Sequence, residues 1–152
     1  MVKTMKENNE KVINLDMDGS IADLYGVANW LEYLIAEDAT PYAVAKPLVN
    51  MQVLARLLNK LQRNGYTINI ISWTSKNGSD AYNSLVADVK KAWLKKHLKS
   101  VKFNNIFVVP YGTPKNTIAS GILFDDEEKN RTTWGENAYD VDNILGVLKA
   151  IA

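Results

Sequence analysis

Apolar residues along this chain fall into short, nearly continuous runs, separated by longer stretches in which they recur every three or four positions. The run 11–16 (Lys11-Val12-Ile13-Asn14-Leu15-Asp16) ends in acidic residues and Gly19, and reads as a buried strand. Three further runs read the same way: 66–71, β-branched and ending at Ser72; 105–109, stopped by Pro110; and 121–124, ending in Asp125-Asp126. Between them, Ser20-Ile21-Ala22-Asp23 has the S-x-x-D spacing of a helix N-terminus and predicts a helix to about Glu37. Residues 38–47, with two prolines, break it, and 48–64 resume with Leu54, Leu57, Leu58 and Leu61 at helical spacing and Gly65 as the stop. Residues 75–79 read as a loop and 80–98 as a helix. Thr113-Pro114-Lys115 reads as a short helix with threonine as N-cap and proline first, 138–139 as a brief strand, and 141–151 as a helix.

Strands alternating with helices imply βαβ units and a parallel sheet covered on both faces. In such sheets ligands bind beyond the carboxyl ends of the strands. The polar residues at those ends are Asp16 and Asp18, Ser72, Lys115 in the loop after the third strand, and Asp125 with Asp126.

Composition narrows the chemistry. The chain has 152 residues, within the range of one domain, with 47% hydrophobic and 23% charged residues. Eighteen Lys+Arg against seventeen Asp+Glu give a net charge of +1, so no overall field attracts a polyanion. There is no cysteine and one histidine, His97, which leaves carboxylates as the strong metal ligands. The polar start, 1–11, has no signal-peptide character, and no apolar run reaches bilayer length. A soluble cytoplasmic protein with no membrane partner is the expectation.

Acids, a hydroxyl and a lysine converging in one crevice form a specific set. Clustered carboxylates raise each other's pKa unless a cation neutralises them, and an all-oxygen donor set favours Mg²⁺. The lysine and the hydroxyl can then meet the oxygens of a phosphoryl group. Thr74 and Ser75 follow closely enough on Ser72 to serve in its place.

The order Asp16-Met17-Asp18-Gly19-Ser20, then Ser72, then Lys115, then Asp125-Asp126 resembles the four motifs of the haloacid dehalogenase (HAD) superfamily. The resemblance spans positions 16–126 and implies a Rossmann-like three-layer sandwich with a mainly parallel sheet, Mg²⁺ dependence and an aspartyl-phosphate intermediate. Carried over by position, Asp16 is the nucleophile and Asp18 the general acid and base. Asp16, the backbone carbonyl of Asp18, Asp125 and Asp126 are the metal ligands, and Ser72 and Lys115 orient the phosphoryl group. An aspartate at position 18 fits a phosphomonoesterase.

The segments 16–23 and 122–130 look like those of small 5'(3')-deoxyribonucleotidases and phage-type members, which suggests a nucleotide substrate. Residues 21–64, inside a single domain 1–152, hold only a small helical cap insert. Tyr25, Trp30, Tyr33 and Trp73 lie near enough to the motifs to stack on a base, although the spacing of Trp30 and Tyr33 favours packing. Lys90, Lys91, Lys95, Lys96, Lys99 and Lys102 form a basic run that reads as a solvated helix face, with His97 at the surface. Ser20 and Asp23 also read as a capping pair, and Glu127, Glu128 and Lys129 as flanking the site without entering it. Two other functions remain open: a phosphatase of nucleic-acid ends, resting on the lysine run, and a catalytically silent HAD-like binding module.

Overall fold

The computed structural model describes residues 10–152; most of the polar stretch 1–11 lies outside them. Five parallel strands form the main sheet: β1 (Val12–Leu15), β4 (Thr67–Trp73), β5 (Asn105–Val109), β6 (Ile122–Phe124) and β7 (Ala138–Tyr139), in the order β5-β4-β1-β6-β7. Most apolar residues of β1, β4 and β6 are buried, and those of the outer strands β5 and β7 only in part, because helices flank the sheet: α3 (Met51–Arg63), α4 (Asp80–His97), α5 (Glu128–Trp134) and α6 (Ile144–Ile151). The result is a Rossmann-like three-layer α/β fold, as the alternation of strands and helices implies. Among the described residues no helix is long and apolar enough to cross a membrane.

Local chemistry sets the helix ends. Asn50 caps α3 by accepting from Val53 N (3.1 Å), and Gly65, at φ 93°, turns the chain after it into β4. Ser79 caps α4 by accepting from Tyr82 N (3.1 Å). Leu54, Leu58 and Leu61 of α3 meet Ile144 and Leu148 of α6, Trp93 and Leu94 of α4, and the sheet residues Ile13, Leu15, Ile68, Ile70 and Phe124 in one core.

The segment after β1 departs from the expected helix to Glu37. Residues 17–22 form a tight turn in which Met17 O accepts from the amides of Ser20, Ile21 and Ala22, each at 3.0 Å. Then β2 (Ala22–Asp23) pairs antiparallel with β3 (Lys46–Pro47), and two short helices, α1 (Trp30–Ile35) and α2 (Thr40–Val44), lie between them. Asp23 caps no helix; its Oδ1 accepts from Gly26 N at 3.0 Å. The Thr113-Pro114-Lys115 expectation is off by one residue: a 3₁₀ turn runs Lys115–Thr117 after Pro114, and Thr113 Oγ1 donates to Pro110 O instead of capping. A second core of Leu24, Ala39, Tyr42, Tyr82 and Val86 fastens this insert to α4. Glu37 adds a polar clasp there: its carboxylate accepts from Ser79 N (2.9 Å) and Ser79 Oγ (2.6 Å).

Three asparagines interrupt the apolar strands in one row, where Asn14, Asn69 and Asn105 are register partners across β1, β4 and β5. Asn105 Nδ2 donates to Asn69 Oδ1 and Asn69 Nδ2 to Asn14 Oδ1, both at 3.0 Å, while Asn14 Nδ2 reaches Ser120 O at 2.8 Å. A buried amide is tolerated only when so satisfied. Replacing Asn69 with Ala leaves the buried Asn14 Oδ1 without its donor, and the expected loss is about 1–3 kcal/mol by urea unfolding; an unchanged midpoint would show that the ladder contributes nothing.

Candidate active site

The ends of β1 and β6 and the 3₁₀ turn after β5 bring the predicted acids and lysine together. Asp16 follows β1, and its amide donates to Phe124 O (3.0 Å), which fixes it beside the end of β6. Its carboxylate is held on both oxygens: Lys115 Nζ donates to Oδ1 (2.8 Å) and Ser20 Oγ to Oδ2 (2.7 Å). Lys115, almost fully buried, also donates to Asp125 Oδ2 (2.7 Å) and lies 5.5 Å from the centre of the Trp73 ring. Burial opposes its charge, yet Asp16 and Asp125 outweigh that effect and hold its pKa above the ordinary lysine value. Asp125 is fully buried and further anchored by Glu127 N (2.9 Å) and Asn130 Nδ2 (3.1 Å).

Gly19 makes this crowding possible. It sits at φ 78°, and a Cβ there would run into the carboxylate of Asp126 and stand 3.1 Å from the Tyr25 ring. Asp126 Oδ1 in turn lies 3.3 Å from Ser20 Oγ. Oxygens of Asp16, Asp125 and Asp126 all fall within 4.8 Å of one another. Desolvation, then the charge of Asp16, push the carboxyl of Asp125 up to about 6 and that of Asp126 up to about 8. Three crowded carboxyl groups, with those of Asp125 and Asp126 pushed toward the neutral form, fit a hard divalent cation such as Mg²⁺.

Asp18 stands apart from that cluster. Its Oδ2 accepts from Lys90 Nζ at 2.9 Å, and desolvation raises its pKa despite the lysine. Lys90 was expected on the solvated face of α4, but it is 1% exposed. Its neighbours explain this: it lies on the buried stripe of Tyr82, Val86, Trp93 and Leu94, four residues after Val86 and three before Trp93. That spacing was the signal that could have found it. Ser72, expected to meet the phosphoryl group, is also fully buried and accepts from Lys90 Nζ at 2.6 Å. Thr74 and Ser75, just beyond the end of β4, line the cleft in its stead. His97 is half-buried and stacks on Trp93 with ring centres 4.4 Å apart, away from the acids.

A cleft of about 480 Å³ opens over Asp16, Asp18, Lys115 and Asp125. Trp73 and Tyr111 (ring centres 4.9 Å apart) and Tyr25 and Trp30 (4.9 Å) supply aromatic surfaces, and Leu31 and Ile35 of α1 line it as well. Trp30 thus borders the cleft, against the packing role expected from its spacing, whereas Tyr33 does not. Glu127 also enters, contrary to expectation, and Lys76 adds a second cation. None of Lys91, Lys95, Lys96, Lys99 and Lys102 borders the cleft; Lys91, Lys95, Lys99 and Lys102 edge a separate groove with Phe103 and Ile106.

No family model and no curated protein matches the sequence. Among solved structures the chain is similar to a D,D-heptose 1,7-bisphosphate phosphatase from Burkholderia thailandensis, with a TM-score of 0.54 and 12% identity, over 93% of this chain and 98% of that one. The two chains share a fold.

The raised carboxyl pKa values carry a sign that can be measured. In the unfolded chain Asp titrates near about 3.9, so between about pH 4 and the folded values the native state binds more protons than the unfolded one, and stability falls as pH rises. In EDTA the melting temperature is therefore expected to decline from pH 5 to pH 8, and Mg²⁺ to restore more of it at pH 8 than at pH 5. A melting temperature indifferent to Mg²⁺ at both pH values would contradict a cation site.

Proposed function

We propose that this protein is a Mg²⁺-dependent phosphomonoester hydrolase that works through a phosphorylated Asp16. The observation that carries the reading is the pairing of Asp16 with both Lys115 and the Asp125–Asp126 cluster at the strand ends, in the order of the HAD motifs. The fold shared with a phosphatase supports it. Asp16, Asp125 and Asp126, with the backbone carbonyl of Asp18, would hold Mg²⁺. Bound there, the ion would supply positive charge to a transferring phosphoryl group.

The chain's own residues account for the remaining steps. Lys115 and Ser20 fix both oxygens of Asp16, so the carboxylate is oriented before substrate arrives. Asp16 forms a bond to phosphorus as the ester oxygen leaves, and protonated Asp18 donates its proton to that oxygen. Asp18, now ionised, takes a proton from water, the water oxygen attacks phosphorus, and the bond to Asp16 breaks to release inorganic phosphate. Thr74 and Ser75, which line the cleft, would donate to phosphoryl oxygens, the role first read onto Ser72.

The aromatic walls favour a nucleotide over a sugar phosphate. Trp73, Tyr111, Tyr25 and Trp30 offer flat apolar faces to a base, each worth about 1–3 kcal/mol when a base stacks on it. The nucleic-acid-end reading loses its one sequence support, because the lysine run lies along another groove.

Phosphate release from nucleotides, sugar phosphates and 3'-phosphorylated oligonucleotides, with Mg²⁺ or EDTA, tests the activity. Asp16→Asn is expected to lose at least about 10³-fold in turnover, and EDTA to abolish it. Undiminished activity in Asp16→Asn would sink the mechanism, and no release from any ester would favour a silent binding module. Tyr111→Ala is expected to raise KM for nucleoside monophosphates by about ten-fold, the scale of one lost stacking contact, and to leave KM for sugar phosphates less affected. Equal changes for both classes would remove the nucleotide reading.

A further inference from the structure

Lys90 is a buried cation that the proposed reaction does not use. It lies on α4, 1% exposed, and its ammonium makes three contacts: Asp18 Oδ2 at 2.9 Å, Ser72 Oγ at 2.6 Å and Trp73 O at 2.7 Å. The Tyr42 ring covers it, with the ring centre 5.1 Å away. A lysine ammonium has three N–H donors, and here three oxygens take them all. No donor remains for a phosphoryl oxygen, so Lys90 is not a second Lys115.

Its partners show what it joins. Asp18 belongs to the turn after β1, whereas Ser72 and Trp73 end β4 immediately before Thr74 and Ser75. One ammonium therefore ties the carboxyl of Asp18 to the strand end that carries the hydroxyls of the cleft. It also separates the two acids by partner: Lys115 holds Asp16 and Asp125, Lys90 holds Asp18. With Oδ2 taken by Lys90, and no described residue donating to Oδ1, Oδ1 is the atom of Asp18 open to a substrate oxygen.

We propose that Lys90 is a positioning residue for this reaction, holding Asp18 so that its Oδ1 meets the leaving oxygen of a phosphomonoester bound under Thr74 and Lys115. The proposal rests on Asp18 acting as the proton donor. It predicts dependence on the leaving group. A poor leaving group needs the proton of Asp18; a dinitrophenolate does not.

The test compares kcat/KM, which reports transfer to Asp16, for phenyl phosphate and dinitrophenyl phosphate in the wild type, Lys90→Met, Asp18→Asn and the double variant. Lys90→Met is expected to lose about 100-fold or more on phenyl phosphate and only a few-fold on dinitrophenyl phosphate, the pattern of a lost general acid. Equal losses on both esters overturn the proposal and mark a purely structural lysine. Lys90→Met leaves Asp18 without its partner, so the double variant, which removes both charges, keeps the test sound if the single one does not fold. Added to Asp18→Asn, Lys90→Met is expected to change the phenyl phosphate rate by no more than roughly two-fold; a further large loss overturns the proposal. A wild type that turns over neither ester overturns the phosphatase reading itself and this proposal with it, a result distinct from equal losses in an active enzyme.

Discussion

Asp16, Asp18, Asp125 and Asp126 converge where the central strands end, and like charges held this close away from water repel. Two buried ammonium groups divide three of these acids between them. Lys115 stands between Asp16 and Asp125, and Lys90 takes Asp18. Neither lysine would be buried without the acids, since desolvation of an unpaired ammonium costs several kcal/mol. Because 99 residues separate Lys115 from Asp16 and 72 separate Lys90 from Asp18, this dependence is also a constraint on the whole sheet. The order β5-β4-β1-β6-β7 sets β1 between β4 and β6, and in that neighbourhood both lysines reach the end of one strand.

The cleft above divides into two regions with different physics. Its floor is made of residues that the backbone holds rigidly: strand ends, the turn of residues 17–22 and the 3₁₀ turn that starts at Lys115. Its walls come from the insert and from the loops after β4 and β5, where Tyr25, Tyr111, Leu31 and Ile35 keep much of their surface exposed. In the proposed reaction, phosphoryl transfer needs the fixed floor, while discrimination among esters would fall to walls that belong to other elements. The floor residues are the ones whose order resembles the HAD motifs. The wall residues follow no such pattern, which is why reaction class reads more plainly than substrate.

The strands were legible because each is a short apolar run bounded by glycine, proline or acidic residues, and buried parallel strands require that pattern. The acids and Lys115 were legible for a related reason: polar side chains at the carboxyl ends of such strands have few places to go except the crevice. Two kinds of residue were not. The segment after Ser20 has helix-start chemistry, yet Ser20 directs its hydroxyl to Asp16 and the amides of the turn go to Met17 O, a tertiary demand that local propensity does not register. Lys90 was hidden by its own type: within a lysine-rich run its charge suggested solvent, and only its place on the stripe of Val86 and Trp93 pointed inward. The surroundings of Ser72 were hidden with it, since a hydroxyl at the end of a strand can face either side of the sheet, and the side it faces here is occupied by that lysine.

The clasp between Glu37 and Ser79 bears on how the cleft is held. Glu37 closes the insert against the first turn of α4, where free amides and the helix dipole favour a negative charge, and Ser79 holds its carboxyl below the usual range. With Leu24, Ala39 and Tyr42 seated on Tyr82 and Val86 behind it, the insert is tied to α4 by an apolar contact and a polar one. Leu31 and Ile35, which line the cleft from α1 of that insert, thus stand on a segment fastened to the same helix that carries Lys90 to Asp18, so the rim and the floor of the cleft share one support.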